Sequence, residues 1–280
     1  MRIAFLIHRS AADVGPAGLS PLTAELVTRL RDGGARVDLL APEDGPWDVA
    51  ALRPQHDLYV LKAKTPVTLS LAGALALGGA AVVNSVRSST LARDKIAATA
   101  LLAGGGVPVP PTWATGRASR LLPLLEEGPL WLKPPRGSRG IGVRRVTTPA
   151  GLDVPEVPTD PFGLPWPLFA QREVPASGRD LKVYVVGDRL WAISRPFPAR
   201  SPQDKIGTPA VLSPEVRRAA LACGRALGLE LYGVDVLAAG DRFFVVDVNA
   251  FPGYKGVAEA PQQLAAYLLA RARQPEVAIS

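Results

Sequence analysis

Imidazole and thiol are scarce in this 280-residue chain, which has two histidines, His8 and His56, and one cysteine, Cys223. A single thiol excludes an intrachain disulfide framework and any zinc site built on cysteine pairs. Two histidines are too few for a His-based metal centre, and no G-x-S-x-G elbow accompanies them as an α/β-hydrolase would require. Aromatics make up only 6% of residues. With no basic block and no basic run interleaved with aromatics, the sequence argues against nucleic acid as a partner. Long apolar runs are missing too. Met1–His8 is too short an apolar start for a signal peptide. The longest uncharged stretch, Thr65–Val86, is interrupted by Pro66, Ser70, Gly73, Gly78, Gly79 and Asn84. It reads as a buried helix and a strand rather than a membrane span, and the expectation is a cytoplasmic protein.

What is present suits a folded chain with an anionic ligand. Hydrophobic residues reach 48%, and the length allows one large domain or two to three smaller units. Glycine and proline make about a fifth of the chain, above the ~12% of ordinary usage and below the ~25–30% of disordered sequences. Lys and Arg number 32 against 25 acidic residues, a net charge of +7. The arginines are scattered. They serve either as general surface charge or as contacts for a small anion such as a nucleotide or phosphorylated metabolite.

Strands and helices alternate up to Asn84. Apolar runs at Arg2–His8, Ala35–Leu40, Asp57–Lys62 and Ala80–Asn84 read as buried strands. Helical spacing at Thr23–Arg31 and Pro66–Leu77 separates them, after a first loop containing Gly15, Pro16 and Gly18. That alternation predicts a parallel α/β sheet. A helix capped by Ser88-Ser89-Thr90 runs to Ala103 and stops at Gly104-Gly105-Gly106, and Val107–Thr112 is extended. Short strands follow at Leu130–Lys133, Gly142–Val146, Leu168–Val174, Leu181–Val186 and Leu190–Arg195. They read as antiparallel, with tight turns at Gly187-Asp188 and Gly240-Asp241. Pro149–Pro167 has no periodicity. Ser213-Pro214-Glu215 opens a helix that ends at Gly228, Leu231–Ala238 and Arg242–Asn249 form a hairpin, and Pro261–Arg273 is the final helix. The fold class is therefore α/β. An N-terminal parallel unit over 1–87 precedes two α+β units with antiparallel sheets, 88–168 and 169–280.

Three constellations carry chemistry. Lys133 precedes Gly137-Ser138-Arg139-Gly140-Ile141-Gly142-Val143, in which glycines let backbone N–H groups approach an anion. With strands on both sides, it is either a flap over nucleotide phosphates or an ordinary Gly-rich hairpin. Near the C-terminus, Asp247 and Asn249 share one strand face, and Asp235 on the neighbouring strand can share it. Carboxylates inside apolar strands are costly unless compensated. Two carboxylates and an amide oxygen suit Mg²⁺, the alternative being aspartates that cap turns. Third, Gln171-Arg172-Glu173-Val174 leads through Ser177-Gly178 to Asp180. It is either an adenine-binding edge with a ribose-binding carboxylate or a solvated linker.

In this order the residues resemble the ATP-grasp superfamily, from the Ser88–Ala103 helix with Arg93-Asp94-Lys95 to Asp247-x-Asn249. The resemblance implies two antiparallel sheets clasping ATP, with Lys95, Lys133 and the flap (Gly137, Ser138, Gly140, Gly142) on its phosphates. Gln171, Arg172, Glu173 and Val174 would line the adenine, and Asp180 would lie near the ribose. Asp235, Asp247 and Asn249 would hold two Mg²⁺ ions, with Mn²⁺ as a compatible substitute. Lys133, Lys182 and Arg195 would be the catalytic side chains.

Two branches are similar to this chain. The flap, Asp180-Leu181-Lys182 and Ser213-Pro214-Glu215 look like the RimK-type carboxylate–amine ligases, which append amino acids such as glutamate. Asp247-Val248-Asn249-Ala250-Phe251-Pro252-Gly253, with Ser194-Arg195-Pro196, looks like the inositol trisphosphate 5/6-kinases. The chain departs from the ligases in having Asp at 247 and Lys at 182, and in the Gln203–Ala210 segment, and from the kinases in lacking a histidine near the flap. A carboxylate acceptor needs no base before it attacks the γ-phosphate, which favours a ligase proceeding through an acyl phosphate. Lys62, Lys64, Arg87, Arg195, Lys205 and Lys255 could instead line a pocket for a phosphorylated polyol, the kinase alternative. A scaffold that binds ATP without transfer is the third reading. The implied partner is a small anionic acceptor, with an amino acid or peptide amine if the reaction is a ligation; oligomeric state is left open.

Overall fold

A computed structural model describes residues 1–8, 19–137, 141–152, 167–198, 201 and 203–274. The first unit holds β1 (Arg2–Leu6), α1 (Pro21–Asp32), β2 (Arg36–Leu40), β3 (Leu58–Leu61), α2 (Pro66–Leu77) and β4 (Val82–Val83). Its four strands pair in parallel in the order β2-β1-β3-β4. All four β3 residues are buried, as expected where both faces of a parallel sheet are covered. Ser20 and Thr65 cap α1 and α2 through hydroxyls that accept from N–H groups three residues on, and each helix has proline at its start.

The expected single helix over Ser88–Ala103 is two helices, α3 (Val86–Arg93) and α4 (Lys95–Gly104). Ser85, not the Ser88–Thr90 hydroxyls, caps the first. Asp94 breaks the run with an extended backbone (ψ 101°), its carboxylate accepting from the N–H groups of Ile96 and Ala97. The break points Lys95 out of the first turn of α4.

β5 (Thr112–Thr115), α5 (Leu122–Glu126), β6 (Leu130–Lys133), β7 (Arg144–Val146) and β8 (Leu168–Arg172) follow. The strands form an antiparallel sheet in the order β5-β8-β6-β7. This central sheet therefore extends to Arg172, past the expected boundary at 168. Most of the Pro149–Pro167 stretch, like the loop of Gly15, Pro16 and Gly18, lies outside the described residues.

The third sheet contains β9 (Arg179–Val186), β10 (Arg189–Pro196), β11 (Thr208–Pro209), β12 (Leu231–Ala239) and β13 (Arg242–Ala250). Its order is β11-β10-β9-β12-β13, all antiparallel. The tight turns fall at Gly187 (φ 57°) and Gly240 (φ 59°), where positive φ suits glycine. Helices α6 (Pro214–Leu227) and α7 (Ala260–Ala272) complete the chain.

One core joins the first sheet to the third: Ile3, Phe5 and Val60 cluster with Tyr184, Leu231 and Phe251 under α1 and α7. The other face of the third sheet packs Val183 and Val234 against Ala98, Leu102 and Cys223. Buried Asn84 stitches the units: its Nδ2 donates to the Leu231 carbonyl at 2.7 Å, and its Oδ1 accepts from the N–H groups of Glu230 (2.8 Å) and Leu231 (2.9 Å). Asn84→Ala leaves the Glu230 and Leu231 N–H groups without an acceptor, while the Leu231 carbonyl keeps the Phe251 N–H. It is expected to lower stability by about 3 kcal/mol, seen as a reduced urea midpoint at unchanged slope.

Candidate active site

Strand register writes a polar stripe across one face of the third sheet. Asp180 lies opposite Arg195 on β10, Lys182 opposite Asp235 on β12, and Asp235 opposite Asp247 on β13. Asn249, two residues beyond Asp247, shares its face. The contacts follow the register. Arg195 holds Asp180 with two bonds (Nε–Oδ1 2.9 Å, Nη2–Oδ2 2.6 Å) and reaches Asp235 Oδ1 at 2.9 Å. Lys182 Nζ donates to Asp235 Oδ2 at 2.7 Å, and Asn249 Nδ2 lies 3.2 Å from both Asp235 and Asp247.

Asp235 is the hub. Burial pushes its carboxyl up, but the Lys182 ammonium and Arg195 guanidinium outweigh that and hold it below the usual range. Burial raises Asp180 despite its two bonds to Arg195. Lys182 is 7% exposed and Asp235 18%, so removing one partner strands a buried charge. Asp235→Ala would leave buried Lys182 without its carboxylate and Arg195 with Asp180 alone, and is expected to cost about 3–5 kcal/mol, measured as loss of melting temperature and denaturant midpoint.

Asp247 is the open end of the stripe, with 32% of its side chain exposed. Lys95 Nζ, from the start of α4, meets its Oδ1 at 3.2 Å and lies 3.5 Å from the Gly137 carbonyl at the flap entry. The Lys95 N–H donates to the Pro135 carbonyl at 2.9 Å, tying α4 to the same loop. Lys133, at the end of β6, donates to buried Gln171 at 2.7 Å, and the Gln171 amide donates to Thr112 at 3.2 Å. Burial lowers Lys133 to about 8, with Asp247 and Asp235 pulling it up and Lys95 pushing it down. A small crevice between α4, β8 and β13 is lined by Thr99, Leu102, Phe169, Val246 and Asp247.

The structure thus gathers Lys95, Lys133, Gln171, Asp180, Lys182, Arg195, Asp235, Asp247 and Asn249. The Arg172 and Glu173 side chains do not join them: Arg172 bonds Glu127 and the Gly128 carbonyl, and Glu173 bonds Arg145. Val174 is buried. Gly142 has φ 73°, and an added Cβ there would lie 2.7 Å from Pro134, so glycine fits this flap position. Ser138 and Gly140 lie outside the described residues. Sequence reasoning missed Thr112 as the prop of Gln171 and Asp94 as the cap that aims Lys95. Counting back from the Gly187-Asp188 turn would have paired Asp180 with Arg195.

Two carboxylates directly opposite each other repel, and here lysine, arginine and amide N–H groups offset that repulsion. The same oxygen donor set fits Mg²⁺. Asp235 is held by two cations and is the more buried, so the more exposed Asp247, with Asn249 beside it, is what a cation reaches first.

Residues 200–270 match the family model of the inositol 1,3,4-trisphosphate 5/6-kinase ATP-grasp domain. The chain is 30% identical over 218 residues to the ribosomal protein bS6–L-glutamate ligase of Salmonella schwarzengrund, covering 73% of this chain and 72% of that one. It is 31% identical over 188 residues to a probable alpha-L-glutamate ligase of Marinobacter nauticus, covering 64% of this chain. That match spans 62% of the length of the Marinobacter protein. Among solved structures, a RimK domain ATP-grasp protein from Sphaerobacter thermophilus superposes with a TM-score of 0.73 at 20% identity, covering 96% of this chain and 100% of the other. The D-cycloserine synthetase DcsG gives 0.72 at 18% identity over 98% and 100%. Fold and sequence relatives agree, and the chain belongs to the RimK-type branch of the ATP-grasp family.

Proposed function

We propose that this chain is an ATP-dependent carboxylate–amine ligase that activates a carboxylate as an acyl phosphate and joins it to an amine. One observation carries the choice of acceptor. A hydroxyl acceptor must lose a proton, yet each carboxylate of the stripe is engaged: Asp180 by Arg195, Asp235 by Lys182 and Arg195, Asp247 by Lys95. Among the described residues no histidine lies in the cluster. A carboxylate acceptor is already an anion and needs no base.

In this reading Lys133 and Lys95 hold the phosphate oxygens and offset the charge that develops as the γ-phosphoryl group leaves ADP. Asp247, Asn249 and Asp235 would hold Mg²⁺, which supplies further charge neutralisation between the phosphates when bound. Lys182 and Arg195 fix Asp235, and Arg195 fixes Asp180. An acceptor carboxylate oxygen attacks phosphorus, the bond to ADP breaks, and an acyl phosphate forms. The amine nitrogen then attacks the carbonyl carbon and expels phosphate, and its proton passes to solvent. The glutamate ligases among the relatives support an amino acid as one reactant. We place the reaction in the cytoplasm on the same reading; among the described residues no helix is long and apolar enough to cross a membrane.

The match of residues 200–270 to the inositol phosphate kinase model favours a second reading, a polyol phosphate kinase. Hydroxylamine trapping with ATP, Mg²⁺ and panels of amino acids, peptides and inositol phosphates separates the two. Hydroxamate accompanying ADP is the expected result. ADP release with only a phosphorylated polyol would overturn the ligase.

A further inference from the structure

The chain leaves the polar stripe through a turn of unusual backbone. β13 ends at Ala250, one residue after Asn249, and the Phe251 N–H donates to the Leu231 carbonyl at 2.8 Å. Phe251 (φ 40°) and Tyr254 (φ 46°) then adopt the left-handed backbone region, which bulky side chains enter only where surrounding contacts hold them. Both side chains are buried, and the Tyr254 hydroxyl donates to the Val185 carbonyl at 2.7 Å. Those contacts fix the side chains of the turn. Its carbonyls need partners of their own, because they have left the ladder of the sheet.

Lys62 supplies them from the first unit. Its Nζ donates to the Phe251 and Pro252 carbonyls, each at 3.2 Å, and stands 4.2 Å from the centroid of the Phe251 ring. Its own backbone is anchored just after β3, where the Lys62 and Ala63 N–H groups donate to the Leu6 carbonyl at 3.1 and 2.8 Å. An ammonium set between two carbonyls and a ring face is bound by charge-assisted hydrogen bonds and by the ring quadrupole together. Lys62, a candidate phosphate contact by sequence, is thus committed to backbone oxygens. The held turn reaches the site at a second point. An added Cβ at Gly233 would lie 2.9 Å from Lys182 Cε and 3.2 Å from Pro252 Cγ, so the lysine stem and the proline ring crowd over the same glycine. Lys182 is the 2.7 Å partner of Asp235, and Gly233 lies opposite Asn249 in the β12–β13 register.

We propose that Lys62 is a positioning residue for the cation end of the site. Its ammonium clasps the Phe251 and Pro252 carbonyls and thereby fixes the strand end that carries Asn249 and the proline that backs Lys182. Loss of the clasp loosens the groups around the cation without removing any of them. The clasp stands on its own hydrogen bonds; that it serves Mg²⁺ and nucleotide rests on the proposed function.

Two measurements on the full chain test this. Amide hydrogen exchange with no ligand present reads the clasp: residues 249–257 should exchange about tenfold faster in Lys62→Met, while β9 and β10 keep their wild-type rates. Calorimetric titration of Mg²⁺ at a fixed concentration of a non-hydrolysable ATP analogue reads its purpose, and half-saturation should need about tenfold more Mg²⁺ in Lys62→Met. Lys62→Arg keeps a charged donor over the ring and should stay within about threefold of wild type in both measurements. Unchanged exchange at 249–257 in Lys62→Met, or equal losses in Lys62→Arg, would overturn the clasp. Faster exchange throughout the chain would make Lys62 a general stabilising contact and overturn the positioning role, as would faster exchange at 249–257 with unchanged Mg²⁺ dependence. If the wild-type chain shows no Mg²⁺-dependent binding of the analogue, the nucleotide reading fails with the role assigned to Lys62, and the exchange rates still decide the clasp.

Discussion

Asp247→Ala is expected to reduce ATP turnover by about 10³-fold or more while leaving the chain folded, because it removes the most exposed carboxylate of the stripe, the one a cation reaches first. The neighbouring strands do not depend on it: Asp235 keeps Lys182 and Arg195, and Asn249 keeps its bond to Asp235. Circular dichroism and melting should therefore stay close to wild type. Asp247→Asn separates charge from shape. It retains the volume and one oxygen, and should recover little activity if the carboxylate charge is what matters. Asp235→Ala, in contrast, lowers both activity and stability, since it also strands buried Lys182. The pair of variants tells a ligand that reaches cation and substrate from a hub that holds the sheet together. Near-wild-type turnover in Asp247→Ala would refute the metal assignment.

Lys133 carries the second large effect. Burial holds it at about 8, well below the ordinary lysine value, and only the ammonium form can offset phosphate charge. With saturating acceptor, kcat/KM for ATP should be flat below pH 8 and fall as pH rises through about 8, approaching tenfold per unit. Bound nucleotide favours the charged form, so the fall in kcat should lie at higher pH than the fall in kcat/KM. Lys133→Met is expected to lose about 10²-fold at neutral pH and to flatten this alkaline limb. Lys133→Arg, permanently charged, should remove the limb while keeping more of the activity. An alkaline limb that persists unchanged in Lys133→Arg would assign the titration to another group.

Much of the scaffold was legible because local chemistry and tertiary packing agree. Pro66–Leu77 and Leu130–Lys133 are a helix and a strand over those same residues, the first set by the Thr65 cap and Pro66. The Gly187-Asp188 and Gly240-Asp241 hairpins follow from turn residues. The Asp94 break was not legible from apolar spacing, which runs through it; the carboxylate competes for backbone N–H groups that a continuous helix would use. The strand pair Thr208–Pro209 is too short to have a period. In the site, Asp247 and Asn249 share a face by simple alternation, and that much can be read directly. The opposition of Asp235 and Asp247 cannot be obtained by counting from the Gly240-Asp241 turn, because the register shifts between Asp235 and Val236.

Oxygen tracing reads the proposed chemistry at the bond that distinguishes it. The carboxylate substrate identified by hydroxamate formation would be labelled with ¹⁸O in its carboxylate and turned over with unlabelled ATP, and the released phosphate examined by mass spectrometry. If the carboxylate attacks the γ-phosphorus and the amine then expels phosphate, one ¹⁸O atom appears in each phosphate released. Phosphate free of label, with ADP formed at the same rate, would contradict carboxylate activation at this site.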